Sequence, residues 1–254
     1  MSFIGDVWDG VKGAASGLWS FAKGAFWHLV GGVLELPTFI GIMPAKKLRL
    51  SVKILIQRDP NTNGLSLVAA RDDVETAVQT AVDIYWAEAK IRMVGAGGGP
   101  IVTVVPEPAP EYVLFPPCGD KSDFVTSQFN EVGAWFRDHR VENIGGALAG
   151  IGSPITVFIV NTVGGHGGCA VAGFFGSYAY VGKDWMTRNN QADADGVTLA
   201  HEIGHVLDLS LTSHFPSKDN VMNSDSQVPP RSKFVAYQQY WIRGSQHVTY
   251  MWPW

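Results

Sequence analysis

KKLRLSVKILIQ, residues 46–57, sets Leu48, Leu50, Val52, Ile54 and Ile56 at every second position. That period of two belongs to a strand with one face turned into a core. Outward from it, RDPNTNG (58–64) has turn chemistry. The following DDVETAVQTAVDIYWAEAKIRMV (72–94) opens with Asp72 and Glu75 at capping-box spacing and repeats apolar residues at Val74, Val78, Ala81 and Tyr85, which predicts one long helix. PIVTVV (100–105) predicts a short strand, the proline-rich PEPAPEYVLFPPCGD (106–120) a loop, and SDFVTSQFNEVGAWFRDH (122–139) a second helix. Three further strands are expected in PITVFIVNTV (154–163), GCAVAGFF (168–175) and SYAYV (177–181), before a helix that bears paired histidines. Helices interleaved with strands in this order define a sheet packed by helices, in the α/β or α+β class.

The chain has 254 residues, 46% of them hydrophobic and 17% charged. That is enough to bury a sizeable core and too apolar for disorder. A net charge of −4 argues against nucleic acid as a partner. Residues 3–34 form a segment of their own. Apolar residues from Ile4 through Val11, Leu18 and Leu29 to Val33 keep a helical rhythm, with Trp8, Trp19 and Trp27 nearby and many glycines that weaken a free helix. Such a stripe packs on its own domain or contacts a membrane or delivery machinery. With the proline-bounded LPTFIGIMPAKK (36–47) as linker, the expected division is residues 1–44 and a domain over 45–254. Asp6 and Asp9 stand where a signal peptide would be apolar, and the uncharged run 24–34 is too short to span a bilayer, so export by a route without a signal peptide is expected.

LAHEIGHVLDLSLTSH (199–214) carries the chemistry. His201 and His205, four apart on one helix face, can reach a single ion, and Glu202 between them can reach a water that the ion activates. Asp193 or Asp195 offers an N-cap, and Val197, Leu199, Ile203 and Leu207 a buried side. A catalytic zinc (Zn2+) takes three protein ligands and leaves one position open. Candidates for the third are Asp208, His214, Asp219 and Asp225. Asp208 shares the helix face but lies far down the axis; His214 needs the chain to fold back, which Pro216 and its polar neighbours favour.

HEIGHVLDLSLTSHFPSKDNVMNS (201–224) resembles the zinc-binding segment of the metzincin metallopeptidases, H-E-x-x-H-x-x-G-x-x-H followed by a methionine in a tight turn. His201, Glu202 and His205 match, and Met222 stands as the turn methionine. Asp208 replaces the family's glycine and Leu211 its third histidine, so a three-residue insertion is needed, which makes His214 the third ligand. The resemblance covers about residues 46–250 and implies a mixed twisted sheet, a zinc endopeptidase activity on protein or peptide substrates, and Glu202 as general base. It also implies an edge strand GCAVAGFFG, with Gly173 and Phe174, that pairs with the substrate, and a pocket wall containing Val228 and Pro229. The rival expectations are a catalytically silent binding protein of this fold and a membrane-acting protein working through residues 1–34. Cys118 is read as a structural cysteine and a candidate for a bridge to Cys169; His166, in a glycine-rich turn, is read as solvated.

Overall fold

A computed structural model describes residues 30–31, 33–118, 131–141, 152–171, 178–186, 196–207, 214–224 and 231–250. Its centre is β1 (Lys46–Arg58), the strand read from residues 46–57. Leu48, Leu50, Val52 and Ile54 are fully buried, and so is Leu55 on the other face, because the sheet is covered on both sides here. Parallel partners of β1 are β3 (Ile91–Gly95), β4 (Val102–Pro108) and β5 (Ile155–Val160); antiparallel partners are β2 (Leu65–Leu67) and β8 (Val248–Tyr250). Beyond β5 come β7 (Tyr178–Gly182), parallel to it, and β6 (Gly168–Val171), antiparallel to β7, giving the order β2-β1-β5-β7-β6. The fold is a mixed α/β sheet of eight strands among the described residues.

Five helices accompany it among the described residues: α1 (Arg71–Ala89), α2 (Glu111–Leu114), α3 (Glu131–His139), α4 (Val197–Val206) and α5 (Ala236–Gly244). The expected helix over 72–94 divides. It stops at Lys90, which adopts a left-handed conformation at φ 53°, and Ile91–Gly95 becomes β3. No glycine or proline announces this stop. A left-handed residue costs roughly 1–2 kcal/mol. Pairing with β1 and burial of Ile91 and Met93 outweigh that cost. Nor does Asp72 cap the helix: the N-cap is Ala70, and Asp72 sits in the first turn, where its charge still suits the helix dipole. Part of the expected loop 106–120 is also ordered, since β4 runs through Pro108 and α2 follows. α3 covers the sheet face that displays Phe158, Tyr178 and Tyr180, with Phe136 stacked 5.2 Å from Tyr180.

Glu35 lies within the body of the fold, 1% exposed, 2.6 Å from both Lys46 and Arg243. The boundary expected near residue 44 therefore separates a buried carboxylate from its two cations. No helix among the described residues is long and apolar enough to cross a membrane. Cys118 and Cys169 form a disulfide across 51 positions of sequence. In loop-entropy terms such a closure is worth about 4 kcal/mol.

Candidate metal centre

α4 is buried nearly all round, so its placement is set by packing and not by local propensity. Its N-cap is Gly196, with no side-chain cap; the expected caps Asp193 and Asp195 lie outside the described residues. Two conditions require glycine here. Its φ is 108°, and a Cβ would sit 2.1 Å from the Ala77 carbonyl oxygen of α1. One turn further, the Tyr85 hydroxyl of α1 donates to the Ala200 carbonyl at 3.0 Å. α1 thus fixes both the start and the rotation of the helix that carries His201, Glu202 and His205.

His214 reaches the same place from the segment after α4. Its neighbour Phe215 donates its N–H to the Met222 carbonyl at 2.8 Å, and Asn223 donates to the Asn220 carbonyl at 3.0 Å, closing a tight turn around Met222. The Asn220 carboxamide oxygen accepts the Met222 N–H, its nitrogen donates to buried Gln238, and Val221 donates to the Lys233 carbonyl. Met222 is fully buried. A His201 nitrogen, Nδ1, donates to the Val221 carbonyl at 2.8 Å. That bond leaves the Nε2 lone pair free to bind an ion. The Nε2 atoms of His201 and His205 are 3.0 Å apart, and ligand atoms of His201, His205 and His214 all lie within 4.8 Å of one another. These three are positioned to hold a metal ion. Of the other candidates, Asp219 is an exposed turn residue bonded to Ser217, while Asp208 and Asp225 lie outside the described residues.

The electrostatics suit that role. Burial holds His201 well below the ordinary imidazole range, with repulsion from His205 adding to it. Burial likewise lowers His205, to about 4, and His214, with His214 and Arg231 respectively contributing. Neutral imidazoles are the form that binds metal. Glu202, 6% exposed, is pushed up to about 8 by burial, against which the Arg231 charge acts. Its side chain lies against the backbone of Gly168 in β6: a Cβ there would be 2.6 Å from the Glu202 Cγ.

These residues line a cleft of about 780 Å³ whose other wall is the run 165–170, with Trp185, Asn223 and Arg231 completing it. His166, read as solvated, is exposed at this cleft. Gly173, Phe174, Val228 and Pro229 lie outside the described residues. Arg231, 3% exposed and bonded to the Asn223 carbonyl, and Gly168 belong to the site although no spacing in the sequence signals either. His139 stacks on Trp135 and meets Glu107, and His247 bonds the Ser153 carbonyl, so both serve local structure. No protein-family model matches the sequence, and no curated protein matches it either.

Proposed function

We propose that this chain is a zinc-dependent endopeptidase of the metzincin type. The observation that carries the reading is the convergence of three histidines whose ligand atoms lie within 4.8 Å of one another, with Glu202 beside them in an open cleft. Three nitrogen ligands and an open position suit a catalytic zinc better than a structural one, which closes its coordination with four protein ligands. A bound zinc would supply a Lewis acid that polarises the scissile carbonyl and lowers the pKa of water toward about 7.

The remaining work falls to the chain. Glu202, as the carboxylate that a neighbouring divalent cation would favour over the buried acid, accepts the proton of the attacking water and passes it to the leaving amine. Met222, eight positions after His214, supports the ligands from within its turn, and the Val221 carbonyl orients His201. β6, last in the strand order, offers an edge on which an extended protein or peptide substrate can add as a further strand.

The test is digestion of a peptide library by the purified chain, with and without a chelator, alongside its zinc content. One zinc per chain and chelator-sensitive cleavage are expected. Glu202→Gln should keep zinc and lose about 10²–10⁴-fold or more of the rate. Zinc retention without cleavage of any peptide refutes the enzyme and favours a binding protein of this fold.

A further inference from the structure

The two walls of the cleft are built differently. One consists of α4, held by the Tyr85 hydroxyl, and the segment from His214 through the turn around Met222, held by Asn220 and Gln238; these carry the three histidines positioned for a metal, and the His201–Val221 bond joins them. The other includes β6, which among the described residues is hydrogen-bonded to β7 and to no other strand. A strand paired on one side has ladder hydrogen bonds along one edge only.

Its reinforcement is covalent. Cys169, the second residue of β6, is bonded to Cys118, with 6.0 Å between the two Cα atoms. Cys118 follows a segment that is itself fastened to the sheet: the Pro117 carbonyl accepts the Tyr180 hydroxyl at 2.8 Å, and the Leu114 carbonyl accepts the Asn161 N–H at 3.0 Å. The turn leading into β6 lies against the same cysteine, where a Cβ on Gly164 would stand 3.0 Å from the Cys118 backbone. One residue before Cys169 is Gly168, whose backbone touches Glu202. The bond between Cys118 and Cys169 therefore sets where the substrate-side wall stands relative to Glu202, while no cysteine takes part in holding the metal.

We propose that the Cys118–Cys169 disulfide is a positioning device for the substrate wall and makes peptide cleavage responsive to thiol redox state. This inference rests on the endopeptidase reading. Reduction by a thiol of the glutathione class consumes two thiols and yields their disulfide. The two electrons and two protons delivered convert the bridge to two cysteine thiols. With Cys118 released, β6 keeps its β7 ladder and its packing against α4 but loses its tie to the segment ending at Cys118, and an extended peptide loses a fixed edge to pair with.

The experiment uses the full chain loaded with zinc, before and after treatment with a phosphine reductant, which does not chelate zinc as dithiols do. In the reduced protein KM for an extended peptide should rise about 10-fold or more, with kcat changed by less than about 3-fold. Zinc should stay bound, and amide exchange should quicken at residues 168–171 but not at 197–206. Reoxidation with oxidised glutathione should restore KM. The Cys118→Ser/Cys169→Ser double variant should match the reduced protein; if it does not fold, the reduced wild-type chain decides the matter. Unchanged KM on reduction overturns the proposal, as does loss of zinc together with activity, which would make the bridge a support of the whole fold. An oxidised protein that cleaves no peptide refutes the endopeptidase reading instead, and amide exchange at 168–171 that ignores reduction overturns the positioning role by itself.

Discussion

Replacing Glu35 with alanine should destabilise the protein far more than loss of an ordinary surface charge. The Glu35 carboxylate is 1% exposed and receives Lys46 Nζ at 2.6 Å, Arg243 Nε at 2.6 Å, Thr38 Oγ1 at 2.8 Å and the Tyr250 hydroxyl at 3.1 Å. Its removal leaves two buried cations facing each other. Breaking one member of a buried ion pair typically costs about 3–5 kcal/mol, and two stranded cations place this case toward the upper end. For a chain of this size about 2–4 °C of melting temperature follows each kcal/mol, so a fall of about 6–20 °C is expected. Thermal unfolding followed by circular dichroism, with a urea titration to show an unchanged slope, reads it. The acid limb supplies a second reading. Burial, the largest influence on the Glu35 carboxyl, would raise it, but the hydrogen bond and charge of Lys46 and the charge of Arg243 together hold it below its ordinary value of 4.5. A carboxyl lowered by folding contributes stability that is present above that value and is lost as pH falls beneath it. Glu35→Gln should lack that component of acid sensitivity. A destabilisation under about 1 kcal/mol for Glu35→Ala would place the group among weak surface pairs and refute the reasoning. The same logic applies to truncation. A chain beginning at Pro44 loses Glu35 and should be destabilised by a similar amount.

Three other outcomes are expected. His214→Ala should weaken zinc binding far more than Asp208→Ala, since ligand atoms of His214 and its two partners converge within 4.8 Å; metal titration showing the reverse order would assign the third position to Asp208. Gly168→Ala should lower kcat/KM about 10-fold or more at full zinc occupancy. The new Cβ would lie 2.6 Å from the Glu202 Cγ and must displace that carboxylate. Unaltered kcat/KM would mean that β6 yields and that its contact with Glu202 is incidental. Gly196→Ala should cost about 2–5 kcal/mol in urea unfolding, combining an unfavourable positive φ with overpacking. The clash is with the Ala77 carbonyl oxygen at 2.1 Å, and near wild-type stability would show that α4 can back away from α1.

β1 was legible because its alternation is strict and rich in branched residues, and the paired histidines because a helix fixes which residues share a face. His214 was within reach through its spacing to Met222 and the break at Pro216. What escaped was nonlocal. β3 continues the apolar pattern of α1 without any breaker, and only its pairing with β1 separates the two. Gly196 as the start of α4 answers a carbonyl more than a hundred residues earlier, where the local sequence offers aspartates instead. Glu35 falls just before the stretch that reads as a linker, and its Arg243 partner is 208 positions away. Arg231 and Gly168 likewise acquire meaning only from what the fold brings beside them.

The number of partners that β1 serves also sets a timetable for biosynthesis. Its parallel and antiparallel neighbours begin at Leu65, Ile91, Val102, Ile155 and Val248, so the strand is translated first and completed last. About 190 residues separate Arg58 from Tyr250, which at about 5–20 residues per second means about 10–40 s of translation. Leu50 to Ile54 wait for β5, and Lys46 to Leu48 for β8, so during part of synthesis the strand keeps an open edge, a template on which nascent chains from one message could stack. Arg49 and Lys53 interrupt the apolar run from Leu48 to Ile56 and Lys47 flanks it, all at positions only partly buried in the finished sheet. In a stack of identical strands those cations would lie one above another and repel, so the residues that look merely tolerated in the native strand guard the unfinished one.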